Sequence, residues 1–393
     1  MPNTSGKARA VSSALCIRLC VPLVAMSLLL GQGSARERGP RVEVAYPQQP
    51  IPFAVNKHTV LAYELHLTNF DDAPLTLKRV RVFADASSPA TASSLLDLGG
   101  QDLYKATEWV GGAHGDAAIE PGSRVIVYLW IELPANRAVP DTLQHQIAFS
   151  PAAQGGKAPA PDVVLEDFPV PISRETVHVL GLPFNGGTWL AGDGPGNQST
   201  HRRSIIAIDG GVHIAQRFAI DWIKVGPNGD SHHDAADRNE NWWGYGEPVL
   251  AVGDGEITEV VDGIPDNVPR TLPDRITLDN IAGNHVILRV GNSYITYAHL
   301  QRGSIQVHRG DQVHSGAVLA RLGNSGQATA PHLHLQVTDR NSVLQSEGLP
   351  FLFERFVYLG PGSSYELDKH PSIPWQNSAP AGDAVVEFDQ VVH

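Results

Sequence analysis

From Arg41 to about Phe168 apolar and polar residues alternate in short runs, as in Leu61-Ala62-Tyr63-Glu64-Leu65-His66-Leu67, Leu75-Thr76-Leu77-Lys78-Arg79-Val80-Arg81-Val82 and Arg124-Val125-Ile126-Val127-Tyr128-Leu129-Trp130. A period of two sends successive side chains to opposite faces, so these runs predict half-buried antiparallel strands. A second series follows Val177, with strands predicted at Phe218 to Val225, Pro248 to Val252, Glu256 to Val261, Asn284 to Val290, Tyr294 to His299, Ala317 to Leu322 and His332 to Val337. Tight connections at Gly253-Asp254-Gly255 and Gly291-Asn292 join them as hairpins, whereas the polar insert 226–246 reads as a loop. The fold class expected is all-β.

Length and punctuation divide the chain. Its 393 residues, 42% hydrophobic and 18% charged, suffice for two cores. In the first half, turn residues at Asn69 to Pro74 and at Pro121-Gly122 fall at a spacing that suits an immunoglobulin-like sandwich over 36–173. The Pro-, Ala- and Gly-rich stretch from Pro151 to Pro171 is the natural place for a boundary, and a second β domain is expected over 178–358. The remainder, 359–393, shows no periodicity and is expected to be loosely ordered.

The first 35 residues change the picture of where the protein works. Lys7, Arg9 and Arg18 flank an apolar run from Cys20 to Leu30, and Gly33-Ser34-Ala35 offers a small-residue cleavage site. This is the pattern of a secretory signal, since a run of about ten residues falls short of the roughly 20 that span a bilayer. Export, to a periplasmic or extracellular space, is the expectation, with no stable membrane span afterwards. Both cysteines, Cys16 and Cys20, lie in this leader, so any metal in the remaining chain must be held by His, Asp or Glu. The net charge of −12 becomes more acidic once the three basic leader residues are removed, which disfavours a nucleic-acid partner.

Pro331-His332-Leu333-His334-Leu335 is the sharpest candidate for chemistry. On a strand, residues i and i+2 share a face about 7 Å apart, so one imidazole can bind a metal while the other handles protons. Alone, such a pair is a weak sign. It gains weight from the Gly-rich stretch Gly323 to Ala330 before it and from His299, at the end of Tyr297-Ala298-His299-Leu300. Asp221, between apolar neighbours in Ala219-Ile220-Asp221-Trp222, is an acid that is costly to bury without a cation or several donors.

Taken in order, Tyr245 to Gly255, Gly283-Asn284-His285-Val286-Ile287-Leu288, Tyr297-Ala298-His299-Leu300, Val307 to Leu319 and Gly323 to His334 resemble the catalytic core of lysostaphin/LytM-type zinc metallopeptidases. The resemblance implies an antiparallel sheet crossed by a groove, a Zn2+ cofactor, and hydrolysis of peptide bonds in bacterial peptidoglycan. It also implies Asp221 and His334 as metal ligands, His299 as the histidine that orients or stabilises a developing oxyanion, and His332 as the one that activates water.

One position departs from the family's pattern. The first histidine ligand stands four residues before the aspartate, where this chain has Arg217, which cannot bind zinc while charged. His201, in a polar loop, and His213 are the nearby substitutes, with His201 preferred. Arg217 also leaves open a second function class, a catalytically degenerate domain that binds wall peptides or regulates another hydrolase. A carrier domain finds no lysine attachment turn. His232, His233, Asp234 and Asp237 read as a solvated loop, His308 and His314 as exposed, and His285 as packed beside its strand. For Trp242, Trp243 and Tyr245 both a groove lining and packing under the loop are open.

Overall fold

The computed structural model describes residues 40–393 except 56–57, 85–92, 112–117, 135–136, 153–160, 355, 362–379, 382–389 and 393. The proposed leader, 1–35, lies outside the described residues, as does most of the expected tail.

The first series of runs forms two antiparallel sheets. In one, the strands Val42–Ala45, His58–Asn69, Arg124–Leu133 and Thr107–Trp109 lie side by side, with Phe53–Val55 hairpinned onto His58–Asn69. In the other the order is Val163–Pro171, Thr142–Pro151, Leu75–Ala84 and Leu96–Gly99, with Ala118–Ile119 added to Leu75–Ala84. Leu61, Tyr63, Leu65, Leu67, Val125, Val127 and Leu129 from the first sheet share one core with Val80, Val82, Ile147 and Phe149 from the second. The result is a two-layer sandwich. The stretch 151–171, read as a boundary, itself supplies the strand Val163–Pro171.

Alternation in the first sheet has a consequence the sequence hides. The odd residues of His58–Asn69 fill the sandwich, but past the exposed His58 the even ones do not face water either. Val60 and Ala62 join the second core, together with Ile51, Phe53 and Val55. Phe53 packs edge-on against Phe218 at 5.4 Å between ring centres. Ile126 and Tyr128 of the neighbouring strand pack with Ile214. The stretches 60–69 and 125–129, predicted as half-buried, are therefore buried on both faces, whereas Leu75–Ala84 keeps Lys78 and Arg79 exposed.

The second core sits on a long antiparallel sheet whose strands run in the order Gln312–Val313, Gly255–Val261, Asn284–Val290, Ser293–Leu300, Leu333–Thr338, Ile220–Val225 and Thr188–Gly192. Beyond Thr188–Gly192 the pieces Gln390–Val392, Phe356–Pro361 and Pro380–Ala381 continue the pairing. The expected strands are present with ends shifted by a residue or two, while Thr188–Gly192 and the hairpin of Ile206–Ile208 with Gly211–His213 were not foreseen. The described residues are nearly all β; Gly100–Lys105 is the one α-helix among them, with a 3-10 turn at Asn239–Asn241, and no helix among them is long and apolar enough to cross a membrane.

Candidate metal centre

Strand register builds the site. In the antiparallel pair Ile220–Val225 and Leu333–Thr338, Asp221 lies directly opposite His334, which puts both side chains on one face. On the other side of Leu333–Thr338, His334 is opposite Ala298. Regular alternation would turn His299, the next residue, to the far face. Its φ of 62° breaks that alternation, and the His299 ring lies 5.9 Å from that of His334 and 4.7 Å from that of His332. A non-glycine residue in this region carries strain that the surroundings must hold.

The Gly-rich stretch supplies that hold. A Cβ on Gly326 would come within 2.3 Å of the Gly283 nitrogen, and one on Gly283 within 2.4 Å of Ser325, so the two backbone segments meet where only glycine fits. This close approach brings the Ser325 carbonyl to His299, whose Nδ1 donates to it at 2.8 Å. The Ser325 hydroxyl accepts from the Asn284 nitrogen and donates to the Leu300 carbonyl.

Each imidazole is fixed through one nitrogen, which leaves the other for the cavity. His201 Nδ1 donates to the Asp193 carbonyl at 2.9 Å, and its Nε2 stands 3.4 Å from Asp221 Oδ2. His332 Nδ1 donates to the Ala330 carbonyl at 2.8 Å, and its Nε2 stands 3.6 Å from the same oxygen. For His334 the roles reverse. Gln336 Nε2 donates to the Val343 carbonyl, so its Oε1 is turned to accept from His334 Nε2 at 2.9 Å, and His334 Nδ1 faces Asp221 Oδ1 at 3.0 Å. Outer contacts of this kind set the tautomer and aim of metal-ligating histidines.

His201, Asp221 and His334 offer one ligand atom each within 4.8 Å of one another, the group of His and acid side chains among the described residues that could hold an ion. Two neutral nitrogens and a carboxylate are a zinc-type donor set. Burial opposes charge on Asp221, but His201 and His332 beside it hold its carboxyl well below the usual range. The partner shift agrees in sense: burial disfavours a charged His201, yet Asp221 and Asp193 raise it to about 9. Burial, reinforced by His332 and His334, pushes His299 well down. The residues line a cavity of about 500 Å³, whose other walls include Thr200, Gln216, Leu272, Thr329 and Leu344.

Arg217 lies outside that cluster. It is 1% exposed, donating from Nε to Glu64 Oε2 at 2.8 Å, from Nη1 to Gln48 and the Gly348 carbonyl, and from Nη2 to Glu347 Oε2 at 2.7 Å. His213 is likewise drawn away, its Nδ1 3.1 Å from Glu347 Oε1. Of the two substitutes considered for the first ligand, the structure brings only His201 to Asp221. Trp242 is buried and Trp243 Nε1 donates to Asp230, so these rings pack with the insert rather than line the cavity. His308 and His314 are exposed beside Asp311 and Asp254, and His285 is buried against Glu259.

Residues 243–346 match the model of peptidase family M23. The chain carries an M23 peptidase domain. The match holds His299, His332 and His334, whereas Asp221 and His201 come before it. Relatives with curated descriptions include the peptidoglycan DD-endopeptidase ShyC of Vibrio cholerae, 33% identical over 92 residues, or 23% of this chain and 17% of that protein. The glycyl-glycine endopeptidase ALE-1 of Staphylococcus capitis is 30% identical over 115 residues, 28% of this chain and 26% of that one. The chain thus spans about a quarter or less of either relative. Among solved structures, the catalytic domain of lysostaphin from Staphylococcus simulans aligns with 40% of this chain and 84% of its own at 22% identity and a TM-score of 0.21.

Proposed function

We propose that this chain is an exported zinc endopeptidase that hydrolyses peptide bonds in bacterial peptidoglycan, with His201, Asp221 and His334 as the ligands of the ion. The observation that carries the reading is the convergence of those three ligand atoms within 4.8 Å beside two further imidazoles. The donor set fits zinc, because Asp193 and Gln336 occupy the far nitrogens of His201 and His334 and leave the near nitrogen of each facing Asp221, able to offer a lone pair once an ion displaces its proton. When bound, zinc polarises a carbonyl and acidifies a water.

The chain's own residues account for the protons. With Nδ1 donating to Ala330, neutral His332 presents Nε2 as an acceptor, suited to take a proton from the attacking water. The resulting imidazolium donates at Nε2 and can pass that proton to the leaving amine. His299 has the same arrangement through Ser325, so it accepts while neutral and can stabilise an oxyanion only once Nε2 is protonated. No side chain in this set need form a covalent bond with substrate.

The reading of a catalytically silent domain drew on Arg217. With His201 beside Asp221, nothing in the geometry of the site favours it. The test is incubation of the purified chain with peptidoglycan. New amino termini should appear, disappear with a chelator and return with zinc, and His334→Ala should abolish them; activity of His334→Ala at the wild-type level would overturn the reading.

A further inference from the structure

We propose that the N-terminal sandwich is a working part of the metal centre, with Glu64, Asn197, Arg202 and Arg203 acting as positioning residues for His201. This rests on the reading of His201 as a metal ligand. His201 lies on no strand: it belongs to a run of turns between Thr188–Gly192 and Ile206–Ile208. Such a segment has no ladder of its own to fix it, and ordering each of its residues costs conformational entropy that contacts from outside must offset.

The segment is tied down largely to the sandwich. Asn197 Nδ2 donates to the Tyr128 carbonyl at 3.1 Å and Gln198 Nε2 to the Lys105 carbonyl at 3.0 Å. Arg202, next to the ligand and 0% exposed, donates from Nε to Glu64 Oε1 at 3.0 Å and from Nη2 to the carbonyls of Tyr63 and Leu129 at 3.2 and 3.0 Å. Arg203 donates to the Lys105 carbonyl at 2.5 Å, and its guanidinium lies 4.9 Å from the Tyr128 ring centre. On the other side, Asp193 aims the ring through its carbonyl and caps the segment by accepting from the Thr200 nitrogen at 3.0 Å. His201 is therefore held between two supports, one from the peptidase sheet and one from the sandwich. Glu64 ties both together, since one carboxylate oxygen takes Arg202 and the other takes Arg217.

The experiment is zinc affinity of the full chain, measured by competition with a chelator well below the melting temperature, with near-ultraviolet circular dichroism to confirm folding. Glu64→Gln, Asn197→Ala and Arg203→Ala should each weaken zinc binding about 10- to 100-fold, the range typical when an outer contact of a ligand is removed. Phe149→Leu, in the sandwich core, should lower the melting temperature and leave zinc affinity unchanged. Arg203→Ala removes a half-buried surface contact and keeps the test alive if Glu64→Gln does not fold. Wild-type affinity in the folded Arg203→Ala and Asn197→Ala variants would overturn the proposal, as would equal weakening by Phe149→Leu. Failure of the underlying reading is separate: it would show as no zinc bound by the wild type, or as undiminished affinity in His201→Ala.

Discussion

Glu64 and Arg217, 153 positions apart in sequence, meet at 2.8 Å with both side chains withdrawn from water. Arg217 stands where the resemblance places a first ligand, and the ion pair explains why an arginine there does not enter the cluster of His201, Asp221 and His334. Its guanidinium is taken up by Glu64, Glu347, Gln48 and the Gly348 carbonyl, while His201 stands beside Asp221 and His334 and is the proposed ligand in its stead.

Restoring the family's usual residue should therefore not help. Arg217→His is expected to strip the guanidinium from Glu64 Oε2 and Glu347 Oε2, leaving only Arg202 and His213 on the other oxygens, at a cost of up to about 3–5 kcal/mol. Denaturant melts should show the loss, and chelator competition should show no gain in zinc affinity over the wild type.

The two candidate histidines should separate cleanly. His201→Ala is expected to lower zinc affinity at least 100-fold with little change in fold, whereas His213→Ala, which loses only its contact to Glu347, should bind zinc as the wild type does. Isothermal titration of the apo chain reads both.

Gln336 offers a subtler check. Gln336→Leu would free His334 Nε2 to find another partner and release the tautomer that now turns Nδ1 to Asp221. Zinc affinity should fall about 10- to 100-fold, and Gln336→Glu, which keeps an acceptor at that place, should recover much of it. Equal affinity in all three proteins would count against the orientation argument.

Acid should unfold the sandwich through buried neutral histidines. Burial pushes His145 down to about 4, where it donates through Nδ1 to Phe168 and faces the Tyr63 hydroxyl through Nε2. Burial does the same to His66, also to about 4. Because both folded values lie below the unfolded one, near 6.5, the unfolded chain takes up protons first as pH falls. The stability they contribute is whole above pH 6.5 and is lost on descent toward pH 4, by up to about 3 kcal/mol for each histidine. Urea midpoints measured between pH 7 and 4 should fall accordingly, and His145→Gln should flatten the fall.

Strands were legible because a period of two leaves a plain trace, and Asp221, His299, His332 and His334 were legible because each is a metal- or proton-handling residue at an apolar strand or its end. The facing register of Asp221 and His334 was not, since pairing partners are set by the whole sheet. Gln336 continues the face of His332 and His334 at the same spacing, a signal that was available and not used. Glu64 is the instructive miss. In an alternating run an even-numbered acid reads as solvent-facing, and only the docking of a second core on that face makes it an anchor. His201 was open to suspicion by residue type alone, because a run of turns has no periodicity that would aim a side chain.

The strand His58–Asn69 also limits how this protein can be re-engineered. Its odd positions are cut to fit one interior and its even positions another, so a foreign module spliced in ahead of the peptidase would have to match both at once. A graft that carried only the later residues would leave Arg202 and Arg217 facing water or a stranger's surface, with His201, the proposed first ligand, on an untethered loop.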